Sequence, residues 1–157
     1  MSFESVKREV DEIAKTSKTA QELMDRITKK LNERMLKYNW VGFYLISLDD
    51  PNMLVLGPYV GAMTPHSRIP LNQGICGAAA SSGVTVVVDD VSKDSRYLAC
   101  SLETKSEIVA PVFVKGKVVG EMDIDSHFLA AFHGEDRSLV EHCAQVVGKF
   151  MERRAKS

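Results

Sequence analysis

The runs EIVAPVFV and KVVGEMDID are separated only by Lys115 and Gly116. So short a connection pairs its flanks as an antiparallel hairpin and excludes the long crossover that a parallel pair requires. A second pair of runs, NWVGFYLIS and NMLVLGPYV, is rich in aromatic and β-branched residues and is parted by the turn formers Asp49, Asp50 and Pro51. Two such hairpins commit much of the chain to a largely antiparallel sheet, which needs helices to cover it.

Those helices are legible at both ends and once between. In SKTAQELMDRITKKLNERM, Thr19 stands three residues before Glu22, a capping box, and Leu23, Met24, Ile27, Leu31 and Met35 follow at helical spacing. The pattern predicts an amphipathic helix preceded by a short one. From Gly74, GICGAAASSG predicts a helix of small residues stopped by Gly83, with VTVVV after it as a buried strand. Residues 91–105 show no period and read as loop with one helical turn. The last helix starts near Glu135 and Asp136, acids suited to a helix N-terminus. It puts Leu139, Val140, Cys143, Val146, Val147 and Phe150 on one face and ends in the basic ERRAKS. The expectation is an α+β fold in one domain over residues 1–157, without linker or repeat.

Twenty basic and twenty-one acidic residues leave a net charge of -1, so no global field recruits nucleic acid or an anionic membrane. The first fifteen residues mix charges from position 4 onward, and no apolar run approaches bilayer-spanning length. A cytoplasmic location is expected. Three cysteines without CxxC or Cys/His spacing argue against a disulfide framework or structural zinc, and imply thiols that are reduced at rest.

Chemistry-bearing residues cluster in three places. Cys143 shares an apolar helical stripe and reads as core. Cys76, at a helix start, is either a thiol whose ionisation the backbone N–H groups and dipole favour, or a small residue filling space beneath a turn. Cys100 stands in a polar loop beside Ser101, Glu103 and Lys105. In GEMDIDSH, strand alternation aligns Glu121, Asp123, Asp125 and His127 on one face. That face is either washed by solvent or forms a pocket for a cation. A ligand ammonium fits better than a metal, because residues on one strand seldom close a coordination shell, so no metal site is expected. Glu107 opens the preceding strand, and the Lys115–Gly116 turn lets it approach Asp123 and Asp125. A thiol sharing a cleft with carboxylic acids suits thiolate attack on an oxidised substrate, with an acid protonating the departing oxygen. Trp40 and Tyr44 share a strand face with Gly42 between them. They are core aromatics, or they flank a notch for a methyl or thioether group. His66 reads as a loop histidine, and His133 and His142 have no evident partners.

Taken in order, NWVGFYL, LGPYVG, RIPLNQGICGAAA, SEIVAP and MDIDS resemble the free methionine-(R)-sulfoxide reductases, a catalytic branch of the GAF-domain family. The resemblance runs from about Asn39 to about Leu139. It implies a GAF-like fold, usually homodimeric, that reduces free methionine-(R)-sulfoxide with thioredoxin or a similar thiol reductant regenerating the thiols, and it calls for no cofactor. It implies catalysis at Cys100 through a sulfenic acid, with Cys76 in the other cysteine position. Glu107, Asp123 and Asp125 correspond to substrate-pocket acids, and Trp40 and Tyr44 to the aromatics at the substrate's methyl end. One position departs from the pattern: His66 stands where such reductases commonly carry the cysteine that closes the disulfide. Cys76 or an external thiol is then left to resolve Cys100. The alternative is a non-catalytic GAF module that binds a small ligand as a sensor.

Overall fold

A computed structural model describes residues 2–98 and 103–155. The chain begins with two helices, α1 (Phe3–Thr16) and α2 (Ala20–Arg34), each capped by a side chain. Thr19 accepts a hydrogen bond from the Glu22 N–H at 3.0 Å. The Glu22 carboxylate reaches back to the N–H of Lys18 rather than to that of the cap itself. The leading helix is not short: at 14 residues it nearly matches the 15 of α2. Its buried stripe of Val6, Val10 and Ile13 is narrow and set among charges, which hides it from a reading based on apolar density.

Six strands follow: β1 (Trp40–Ile46), β2 (Met53–Val60), β3 (Arg68–Pro70), β4 (Val86–Val88), β5 (Ser106–Val114) and β6 (Lys117–Ser126). Helix α3 (Gly74–Ser82) lies between β3 and β4, a 3-10 turn spans Val91–Lys93, and α4 (Gly134–Ala155) closes the chain. The strands form one sheet in the order β3-β2-β1-β6-β5-β4, with every pair antiparallel. The expected α+β architecture and both hairpins are present. Lys115 and Gly116 adopt φ of 51° and 79°, the left-handed pair that a tight hairpin turn of matching twist demands. Two details differ from expectation. Strand β3 is too short to show a period in the sequence. VTVVV contributes only a three-residue edge strand, of which Val88 alone is buried, because it has a neighbour on one side only.

The sheet separates two apolar layers. On one face α1, α2 and α4 pack against Val41, Phe43, Ile108, Met122 and Ile124; Cys143 lies here, as expected, with burial holding its thiol protonated up to about 12. On the other face α3 covers Tyr44, Val109 and their neighbours, a smaller layer that includes Cys76. Among the described residues no helix is long and apolar enough to cross a membrane.

Register decides which face the functional side chains occupy. Next to the turn, Val114 pairs with Lys117 and Phe113 with Val118; from Val112 onward the partners shift by one, to Gly120 and then Glu121 opposite Pro111. Val119 is the extra residue of a β-bulge. The shift places Glu107 opposite Asp125 and Val109 opposite Asp123. The acidic alternation of β6 therefore faces α3, while Met122 and Ile124 face the helical layer.

Ile124 is fully buried on that helical side. Ile124→Ala is expected to lower unfolding free energy by about 2–5 kcal/mol, the usual cost of deleting a buried aliphatic side chain. Urea denaturation checks this; a loss below about 1 kcal/mol would show that the layer is loosely packed.

Candidate active site

The three acids of β6 are not an outer face. Glu121 is 0% exposed, Asp123 and Asp125 are each 3% exposed, and Glu107 on β5 is 4% exposed. Strand pairing explains their grouping, since Trp40, Gly42 and Tyr44 of β1 stand opposite Asp125, Asp123 and Glu121 on one side, while β5 sets Glu107 against Asp125 on the other. Helix α3 supplies the roof. Its Cys76 thiol donates to Asp123 Oδ2 at 3.4 Å. One ligating atom from each of Cys76, Glu107 and Asp123 can be chosen so that all lie within 4.8 Å of one another.

A narrow cavity of about 20 Å³, room for about one water molecule, opens beside this cluster. Tyr44, His66, Ile69, Cys76, Leu98, Glu107 and Asp123 are among its lining residues. Cys100 itself lies outside the described residues, as does Ser101. Tyr44 donates its hydroxyl to the His66 carbonyl at 2.8 Å, which ties the loop before β3 to the site. Residue type alone marked His66 only as a loop histidine, because this placement depends on β3 turning the loop back over β2, whereas the resemblance already aligned it with a cysteine of the site.

Three expectations need correction. Cys76 sits in the first turn of α3, yet its thiol is pushed well above its ordinary range, first by burial and then by the charges of Asp123, Glu121 and Glu107. Desolvation and three acids outweigh the helix terminus, so the thiol is protonated at rest. His127 does not join the acids: β6 ends at Ser126, and the His127 ring lies at the surface, 3.5 Å from Glu103. The space over Gly42 is not an open notch. The Trp40 indole lies across it, so a Cβ there would fall 2.4 Å from the ring, and the indole stacks against Tyr44 with centroids 6.4 Å apart. Trp40 donates its N–H to the Ala62 carbonyl and backs Tyr44 without lining the cavity.

Burial also raises Glu121 and Asp123. For Glu121 the Asp123 charge adds to the rise; for Asp123, bonds with Glu107 and Cys76 offset part of it. Among the described residues the Glu121 oxygens meet no hydrogen-bond partner other than the Cys76 thiol, whose proton the carboxyl helps to hold. Such a site raises the proton affinity of its carboxyls beside a thiol and gathers several acceptors for a cationic guest.

Fold and site together match one class of protein. The GAF domain family model matches residues 19–150, and the chain belongs to that family. Within it, the chain is 39% identical over 112 residues to a free methionine-R-sulfoxide reductase of Saccharomyces cerevisiae, a match covering 71% of this chain and 62% of the yeast protein. It is 38% identical over 121 residues to the Escherichia coli enzyme of that description, covering 74% of this chain and 71% of the relative. The solved free methionine-R-sulfoxide reductase of Neisseria meningitidis, in complex with its substrate, superposes with a TM-score of 0.90 at 32% identity, over 98% of this chain and 91% of that one. These relatives place the chain in the free methionine-R-sulfoxide reductase branch.

The raised carboxyls set the sign of a stability effect. A folded-state rise means that Glu121 stabilises the fold fully below its ordinary value of 4.5 and loses that contribution as pH climbs toward the folded value. Wild-type urea midpoints are expected to fall as pH rises above 4.5, and those of Glu121→Gln to fall less. Parallel profiles for the two proteins would overturn this.

Proposed function

We propose that this GAF-like domain, spanning residues 1–157, reduces free methionine-(R)-sulfoxide to methionine by cysteine chemistry. The observation that carries the reading is the buried set Glu107, Glu121, Asp123 and Asp125, with the Cys76 thiol bonded to Asp123 and within the influence of Glu121 and Glu107. A free amino acid brings an ammonium to such a site, whereas a methionine inside a peptide has none. Glu107, Asp123 and Asp125 receive the ammonium and manage protons, while Tyr44, backed by Trp40, borders the methyl end. Leu98 and the other lining side chains separate to admit the substrate, since the cavity holds about one water.

In the first half-reaction the Cys100 thiolate attacks the sulfoxide sulfur. A protonated pocket acid supplies the proton that the oxygen needs, and Cys100 is left as a sulfenic acid as methionine departs. The sulfur of the substrate gains the two electrons that Cys100 loses. In the second half-reaction Cys76 gives up its proton, attacks the Cys100 sulfur and displaces the oxygen as water, forming a disulfide that thioredoxin or a similar dithiol reduces. With His66 at the other cysteine position, Cys76 is the remaining thiol beside the cavity among the described residues. Raised by its surroundings, it attacks slowly until a neighbouring carboxylate takes its proton. The same reading includes a homodimer in the reducing cytoplasm.

Substrate scope tests the pocket. The free R epimer should be consumed, while the S epimer and an acetylated, amidated methionine sulfoxide should not; comparable rates on the blocked compound would overturn the ammonium role. Asp123→Asn and Asp125→Asn should keep the fold and lose about 100-fold or more in kcat/KM, the scale for removing a well-placed charge partner or proton donor. Wild-type rates in both variants would move the chemistry elsewhere.

The thiols separate by intact mass. After one addition of substrate, wild type should lose two hydrogens, Cys76→Ser should gain one oxygen, and Cys100→Ser should stay unchanged. An oxygen adduct that persists in wild type, with normal cycling by Cys76→Ser, would assign resolution to an external thiol.

A further inference from the structure

We propose that Cys76, Glu107 and Asp123 form a binding site for a thiophilic divalent cation, Zn²⁺ in the first instance, and that its occupancy excludes the ammonium of free methionine sulfoxide. The exclusion rests on the substrate reading above, whereas the site itself does not.

A row of acids along one strand cannot enclose an ion, but the fold removes that objection. The three ligands come from three elements, α3, β5 and β6, which approach one point from different directions. Their ligating atoms lie within 4.8 Å of one another. In a tetrahedral zinc site, bonds of about 2.3 Å to sulfur and about 2.0 Å to oxygen set sulfur and oxygen about 3.5 Å apart. Cys76 Sγ and Asp123 Oδ2 are already 3.4 Å apart. The remaining edges need to shorten by no more than about 1.5 Å, within reach of side-chain rotation.

An independent observation points to a guest. Glu121 is 0% exposed, and among the described residues its oxygens meet no hydrogen-bond partner other than the neighbouring Cys76 thiol; Asp123 Oδ1 is also buried without a partner among them. Groups of this kind are costly to bury unless something meets them. Among the described residues, no lysine or arginine contributes to the electrostatic surroundings of Cys76, Glu121 or Asp123. The substrate ammonium brings one positive charge to this acidic group and a divalent ion brings two. The donor set selects the metal: one thiolate with carboxylates favours Zn²⁺ or Co²⁺, while Mg²⁺ and Ca²⁺ prefer all-oxygen shells. Binding replaces the S–H bond of Cys76 by a metal–sulfur bond and releases that proton to solvent, so affinity rises with pH. No electrons are exchanged.

The test uses Co²⁺ as the spectroscopic probe on the full, reduced Cys100→Ser chain, which keeps Cys100 from contributing sulfur. One equivalent should bind per chain with a near-ultraviolet thiolate-to-cobalt band. Zn²⁺ should abolish that band, and a large excess of Mg²⁺ should leave it. Cys76→Ala and Cys76→Ser, both made so that a variant with the parent's melting curve is in hand, should lose the band. Asp123→Asn and Glu107→Gln should weaken binding at least tenfold, and Glu121→Gln by about tenfold as a supporting group. Absence of the band, its persistence without Cys76, or parental affinity in both Asp123→Asn and Glu107→Gln would overturn the site.

Free methionine sulfoxide should displace cobalt, and Zn²⁺ should raise KM without lowering kcat in the wild-type enzyme. Turnover with no such competition would overturn the exclusion alone. Cobalt binding in a chain that turns over no sulfoxide in the wild-type form would sink the substrate reading and leave the metal site standing.

Discussion

One unpaired residue in the β5–β6 ladder sets the rest. If the register next to the Lys115–Gly116 turn continued unbroken, Glu107 would stand opposite Ile124 and point into the helical layer. The bulge at Val119 reverses that parity and brings Glu107 to the same face as Asp123 and Asp125. A one-residue slip moves every side chain of a strand to the opposite face, so the place of Glu107 in the acid cluster depends on this local irregularity. Helix α3 then converts an acidic sheet face into an interior one.

Acids at such depth work against the fold at neutral pH. Burial raises Glu121 and Asp123 together with the Cys76 thiol, and each raised group is a proton held where water would otherwise share the charge. The larger layer beneath α1, α2 and α4 offsets that cost with aliphatic and aromatic burial. The two faces of the sheet divide the work, one supplying stability and the other holding groups that a stable fold alone would not choose.

Much of this was legible in the residues. The two-residue turn and the turn-forming Asp49, Asp50 and Pro51 gave both hairpins, Thr19 gave the helix cap, and period-two spacing put Glu121, Asp123 and Asp125 on one side of β6. Alternation does not say which side is buried, because that depends on what covers it, and α3 is placed by tertiary packing. His127 fell outside the pattern because the strand stops one residue before it. The ionisation of Cys76 was misread because a helix terminus is visible in sequence, whereas the charges opposing it arrive from strands thirty and more positions away. The space over Gly42 looked open only because sequence does not say where the Trp40 ring lies. Cys100 is carried by the family resemblance, and its placement lies outside the described residues.

The site straddles the seam where β1 meets β6, and Trp40 finds Asp125 across most of the chain's length. Closing so long a loop is slow and uphill until the contact forms, whereas each hairpin is local and quick. A chain with both hairpins made but undocked has its acids in water and no roof over them. Such an intermediate would have near-native strand content and no pocket. Regained activity would then report the last long-range docking event, making the pocket a built-in gauge of completed folding.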